Sequence, residues 1–432
     1  MGATVHRLHP VSEVGHFLRL GHTGHRKLED LHASGRFAVD RVVVDAAHIG
    51  PQKELLDSLR GSDSEIILDP QAAELSTPGG YLTSARKLPW AHPERPYAVK
   101  DFDRNRIFDM AAQIADFAIE HHVDVVLAPT RLLDGPQDAW LAIDAETCQA
   151  LRSALDERGA NDVAIDYPLL TTYQVLLDGA ARKALASHIA DMPFENLWLR
   201  IANFGSDKSA SGLRKYINAL RDFHEVGKPI VADGVGGLPA LGIIAFGAAG
   251  GFCHGVAEKE RFYPNRWWKP QDSRGGGGTM RRVYFAGLDA YLNEEQARTL
   301  LATRGAKPLL ACRDTGCCPG GWEDMILNPK THYLTQTTRR VQELGQVPEL
   351  RRADHFLTQQ LARADRVART ALRLKVTDQK ILEKLSNHSR KTDDMRRVLE
   401  ELHVTGHNLS RSRAPMKRAG RSSAQATTTR GG

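Results

Sequence analysis

The sequence predicts an α/β fold: a (β/α)₈ TIM barrel followed by a zinc-binding segment and a helical C-terminal appendage. Three observations carry this. Short β-branched apolar runs alternate with helix-compatible stretches from residue 16 to about 290. Those runs end, again and again, in an acidic residue. Where the alternation stops, three of the five cysteines and a histidine fall within residues 312–332.

The candidate strands come in order. "HFLRLG" (16–21), "RVVVDA" (41–46), "SEIILDP" (64–70), "VDVVLAPTR" (123–131) and "DVAIDYP" (162–168) form the first group. "NLWLRIANFG" (196–205), "KPIVADGVGG" (228–237), "GIIAFGAAGGFCHG" (242–255) and "RRVYFAGLD" (281–289) follow. Between them lie helical stretches such as "RNRIFDMAAQIADFAIEHH" (104–122) and "SGLRKYINALRDFHEVG" (211–227). Continuous apolar strands alternating with helices mean a parallel sheet covered on both faces. About eight such units in under 300 residues fit a closed barrel better than an open doubly wound sheet. Nine runs compete for eight places, so the first or the last lies outside.

Domain organisation follows: barrel over 1–290, zinc-binding segment over 291–346, helical appendage over 347–408, disordered basic tail over 409–432. In the appendage, "FLTQQLARADRVARTALRL" (356–374) carries an apolar stripe at helical spacing, which reads as packing against the barrel. The six arginines and lysines of residues 409–432, with no acid among them, equal the formal charge of +6. Residues 1–408 are therefore neutral, and the basicity belongs to a tail suited to contact with polyanions such as nucleic acid. No apolar run reaches the roughly 20 residues that span a bilayer, and the start lacks the order of a secretory signal. The expectation is a cytoplasmic protein with no membrane contact.

Barrel chemistry gathers where strands end. Asp45, Asp69, Asp166 and Asp233, with Asp289 as a further strand-end acid, are placed to converge on one mouth. Carboxylates crowded there need a counter-charge, which Arg131, Arg200 and Asn203 from two other strand ends supply. Each Asp taken singly also reads as a helix cap. Gly236 and Gly237, then Gly250 and Gly251, resemble the phosphate-gripping turns of flavin and nucleotide barrels, where glycine lets backbone amides approach an anion. "NRWWKPQDSRGGGG" (265–278) reads as an aromatic, basic loop suited to stacking on a base.

Cys312, Cys317, Cys318 and His332 supply three thiolates and an imidazole, the donor set of a closed structural Zn²⁺ site. Soft sulfur ligands favour zinc or an iron–sulfur cluster over hard cations, and the histidine tips the choice to zinc.

A barrel followed by such a site resembles the tRNA-guanine transglycosylase superfamily over residues 16 to about 340. The resemblance implies base exchange on nucleic acid, DNA or RNA, with a purine or 7-deazaguanine base as the exchanged group. One Asp carboxylate attacks C1′ and holds a covalent glycosyl intermediate, and a second manages protons. Asp233 and Asp45 are nominated for these roles, with Asp69 and Asp166 in reserve. Two other readings stay open: a flavin- or phosphate-ligand barrel oxidoreductase resting on the glycine turns, and a non-catalytic, zinc-stabilised protein that binds nucleic acid or a partner.

Overall fold

The computed structural model describes residues 13–21, 25–37, 39–256, 260–268, 281–405 and 410–418. Eight parallel strands close into a barrel: β1 (Gly15–Arg19), β2 (Arg41–Asp45), β3 (Glu65–Asp69), β4 (Val125–Leu127), β5 (Ala164–Thr172), β6 (Leu197–Ala202), β7 (Ile230–Asp233) and β8 (Gly251–Gly255). Neighbours in the chain are neighbours in the sheet, and β8 returns to β1 with Gly15 opposite Gly251 and Arg19 opposite Gly255. The first eight sequence runs thus fill the barrel. The ninth lies outside, where β9 (Arg282–Phe285) pairs antiparallel with β10 (Ala290–Asn293). That hairpin packs with the cysteine segment, sharing an apolar cluster of Val283, Phe285, Leu288, Cys317, Cys318 and Met325.

Period-2 alternation divides each barrel strand into an inward and an outward set. The inward residues Phe17, Val43, Ile67, Val125, Leu127, Ala164, Trp198, Val231 and Cys253 fill the middle of the barrel. Outward Leu18, Val42, Val44, Ile66 and Leu68 join the larger core beneath the helices. The helix Pro329–Gly345 closes the ring: its Tyr333 hydroxyl meets His254 of β8 at 3.1 Å, and Leu334, Val341 and Leu344 belong to the barrel core. The hairpin and cysteine segment are therefore an excursion between β8 and a helix that packs on the barrel.

Residues 410–418, expected within a disordered tail, instead run across the N-terminal floor of the barrel. Ser412 donates its N–H to the Gly247 carbonyl and accepts from the Ile230 N–H through its hydroxyl, both at 2.9 Å. Arg41 donates to the Pro415 carbonyl at 2.9 Å, and the Arg418 N–H donates to Glu65 at 3.1 Å. The physical reason is the floor itself. Arg41 and Glu65 open their strands facing inward, both buried and paired with each other at 3.5 Å, and the strap supplies a further hydrogen bond to each. Among the described residues no helix is long and apolar enough to cross a membrane.

Candidate active site and metal centre

The inward period that places Phe17, Val43, Ile67, Trp198 and Val231 in the middle layer puts Arg19, Asp45, Asp69, Arg200 and Asp233 one step higher, at the C-terminal mouth. Arg19 is the hub. Its guanidinium donates to Asp45 at 3.1 Å, Asp69 at 2.6 Å and Asp233 at 3.1 Å. Burial opposes its charge, but the three carboxylates outweigh that and hold its pKa well above the ordinary arginine value. Arg200 approaches Asp69 and Asp233 at 3.6 Å each, and its outer face carries the Phe262 ring at 4.6 Å and the Trp267 ring at 6.0 Å. Three carboxylates thus share two guanidiniums.

The segment after β3 completes the mouth. Gln71 sits in the left-handed region at φ 58°, uncommon for a residue with a side chain and a mark of local strain. Its N–H donates to Asp69 Oδ1 at 2.8 Å, its side-chain oxygen accepts from the Ala47 N–H at 3.0 Å, and its Nε2 donates to Glu74 at 2.7 Å. Glu74, Asp69, Arg200, Thr130 and Trp267 line a cavity of about 20 Å³, enough for one water molecule. Burial first, then the nearby charges of Asp45 and Asp69, push the Glu74 carboxyl up to about 7, against Arg200 and Gln71. Asp69 borders this cavity with its side chain 14% exposed, whereas Asp233 lies deeper at 3%.

Five sequence expectations land elsewhere; the first, Asp289, sits in the turn of the β9–β10 hairpin and pairs with Arg340 at 3.1 Å instead of joining the acids around Arg19. Asp166 is not at the mouth, because β5 does not end at "DYP" but continues through Pro168 to Thr172. Its carboxylate accepts from the Trp198 indole at 2.7 Å and from Asn196, side chain and backbone, deep in the barrel. Arg131 turns away from the barrel interior, wholly buried against Asp144 at 2.9 Å and stacked on Phe102 and Trp140. Gly250 and Gly251 belong to the floor: a Cβ at Gly250 would overlap the Arg413 carbonyl, and one at Gly251 would press on the Gly15 backbone. Gly236 and Gly237 lie beyond β7, but the chain fills their turn itself. A Cβ at Gly236 would meet the Glu260 side chain, and the Asp289 carboxylate accepts from the Leu238 N–H at 2.8 Å at the start of the helix Gly237–Ala245. The anion this helix receives is the protein's own.

Asn203, just past β6 and also left-handed at φ 61°, donates its N–H to the Phe262 carbonyl at 2.8 Å and so ties the aromatic flank to the barrel. Arg19, Gln71 and Glu74 were missed. Arg19 was readable as the inward residue two beyond Phe17; Gln71 and Glu74 follow their strand in a stretch with no periodic signal.

The cysteine segment gathers as expected. The donor atoms of Cys312, Cys317, Cys318 and His332 all lie within 4.8 Å of one another, so the four could hold one metal ion. Asp314 shapes the turn: its carbonyl accepts from the N–H groups of Cys317 at 3.1 Å and Cys318 at 2.7 Å, turning both adjacent thiols inward. His332 comes from the first turn of Pro329–Gly345. Its Nε2 lies 3.0 Å from the Tyr284 carbonyl, which fixes Nε2 as the donor and leaves Nδ1 free to ligate. Arg36 donates to the Cys317 carbonyl at 2.7 Å, pinning the centre to the barrel. No family model matches this chain, and no curated protein does.

Proposed function

We propose that this protein is a zinc-stabilised barrel enzyme that exchanges a base on nucleic acid through an aspartate nucleophile. The observation that carries the reading is the mouth, where Asp45, Asp69 and Asp233 converge on Arg19 beside a cavity lined by Trp267, whose ring meets Phe262 edge-on. Breaking a glycosidic bond develops positive charge on the sugar, and a site with more carboxylates than guanidiniums favours that state. Asp69 takes the nucleophile role, since it alone of the three borders the cavity. Asp233 and Asp45, the pair nominated from sequence, hold Arg19 and through it the orientation of Asp69. Phe262 and Trp267 offer flat surfaces of the kind a purine stacks on. A base exceeds the present cavity, so binding requires these rings to move.

Zinc suits the metal centre. A tetrahedral ion with metal–sulfur bonds of about 2.3 Å and a metal–nitrogen bond of about 2.0–2.1 Å has edges of about 3.8 Å between sulfurs and about 3.5 Å from sulfur to nitrogen. The Cys317 and Cys318 sulfurs lie 3.7 Å apart and each is 3.4 Å from His332 Nδ1. Four protein donors leave no position for water, which makes the ion's role structural. Glu260 and Asp289 lie against Gly236 and Gly237, and Arg413 against Gly250, which favours base exchange over the flavin or phosphate alternative.

The test is exchange and trapping. Protein incubated with tRNA or duplex DNA and labelled guanine or a 7-deazaguanine base should incorporate label and give a denaturant-resistant adduct. Asp69→Asn should abolish both while leaving the fold unchanged. Absence of exchange and adduct with every nucleic acid tried overturns the reading.

A further inference from the structure

We infer that Glu74 is the proton donor to the departing base and that Gln71 is the positioning residue that yokes it to Asp69. The assignment rests on the base-exchange reading and adds to it the second half of the chemistry. One side chain serves both carboxyl groups: the Gln71 N–H holds Asp69 at 2.8 Å, and its Nε2 holds Glu74 at 2.7 Å. The amide cannot flip, because its oxygen accepts from the Ala47 N–H at 3.0 Å. The left-handed backbone at Gln71 is what lets a single residue face Asp69 with its main chain and Glu74 with its side chain. Glu74 and Asp69 border the same small cavity, which Arg200 and Trp267 also line. Two carboxyl groups on one cavity can serve as the acid and the nucleophile that glycosidic cleavage requires.

The step balances as follows. An Asp69 oxygen forms a bond to C1′ as the bond from C1′ to the base nitrogen breaks. The electron pair of that bond goes to the base, which takes the Glu74 proton and leaves neutral. Glu74 is then a carboxylate, able to accept the proton of the incoming base before that base displaces Asp69. The charged and titratable groups facing Glu74 are Asp45, Asp69 and Arg200, with Gln71 as hydrogen-bond donor. The Asp45 and Asp69 charges keep its proton on, Arg200 and Gln71 favour its loss, and the balance with burial puts the group near neutrality, where a general acid works best.

Two oligonucleotide substrates separate the possibilities: one carrying guanine, which must be protonated to leave, and one carrying N7-methylguanine, already cationic, which leaves without a proton. Wild-type protein should form adduct with both. Glu74→Gln should slow adduct formation with guanine about 10²–10⁴-fold and with N7-methylguanine by less than about 10-fold. Gln71→Gly keeps the left-handed backbone and the N–H to Asp69 but removes the amide. Losing that donor raises the pKa of Glu74, so the alkaline limb of the guanine pH profile should move upward while the N7-methylguanine profile stays put. Circular dichroism and thermal melts establish that both variants are folded. If Glu74→Gln slows both substrates equally, or neither, or if Gln71→Gly leaves the guanine profile in place, the assignment is overturned while base exchange stands. A folded wild-type protein that traps neither substrate overturns the exchange reading and this assignment with it.

Discussion

Replacing Gly250 by alanine should unlatch the C-terminal strap from the barrel floor. The nearest atoms to an added Cβ are all backbone: the Arg413 carbonyl and the Ala414 Cα. Backbone cannot rotate aside as a side-chain tip does, so the strap must leave. With it go the Pro415 carbonyl from Arg41 and the Arg418 N–H from Glu65, both on groups only 3% exposed, Glu65 with its carboxyl pushed up to about 7 chiefly by burial. A hydrogen bond to the charged Arg41 is worth about 1.5–3 kcal/mol and one to the half-protonated Glu65 about 0.5–1.5; the freed strap regains backbone entropy, so the low ends apply and the loss should be about 2 kcal/mol. Deleting everything from Ser410 onward should cause a similar loss. The decisive point is non-additivity, since the three atoms nearest to a Cβ at Gly250 all belong to the strap and leave with it. Urea unfolding followed by circular dichroism on the single variant, the truncation and the combination measures all three. A combined variant no less stable than the truncation supports the latch. Additive losses, or a Gly250→Ala protein as stable as wild type, would refute it.

Zinc should be present at one equivalent per chain, and Cys317→Ser should lose it and yield protease-sensitive protein, because metal binding here contributes directly to folding. A stable metal-free protein by elemental analysis and melting would contradict that. Asp233→Asn should lower the exchange rate without removing the adduct, since the carboxylate acts through Arg19; complete loss of trapping would instead make Asp233 the nucleophile. The pH dependence of stability should show the buried pair His16 and His254, whose Nε2 atoms lie 2.8 Å apart. Burial lowers both pKa values, His254 to about 4 and His16 well below its usual value, with their mutual repulsion adding at His16. The folded state therefore resists protons that the unfolded chain takes up below about 6.5, and stability falls as pH drops from there, by up to about 1.4 kcal/mol per pH unit for each histidine. His254→Gln should flatten that slope in unfolding experiments between pH 7 and 5; an unchanged slope would show that the pair titrates normally.

How far the sequence leads can be judged residue by residue. Val43–Asp45, Ile67–Asp69 and Val231–Asp233 each place an acid one inward step above an apolar residue, and the mouth follows from strand periodicity alone. The same rule offered Arg19. It failed at Asp166 because strand length is set by pairing: Tyr167 to Thr172 align with Leu197 to Ala202, carrying β5 past a proline that reads as a terminator. It failed at Arg131 because a turn after β4 aims the side chain outward to Asp144, thirteen residues on, and such an aim depends on dihedrals that local composition does not encode.

The sequence by itself determined the alternating architecture, the acids Asp45, Asp69 and Asp233 of the mouth and the four residues that could hold a metal, because each rests on short-range spacing: period 2 in strands, and thiols and a histidine within one short segment. Only the tertiary structure decided that the ninth strand leaves the barrel, that glycines chosen for phosphate are filled by Glu260 and Asp289, and that a basic tail segment closes the floor. Those outcomes hang on partners dozens to hundreds of residues apart, such as Arg418 on Glu65 and Asp289 on Leu238. A buried charge binds whichever group the closed chain brings to it, and that choice exists only once the barrel has closed.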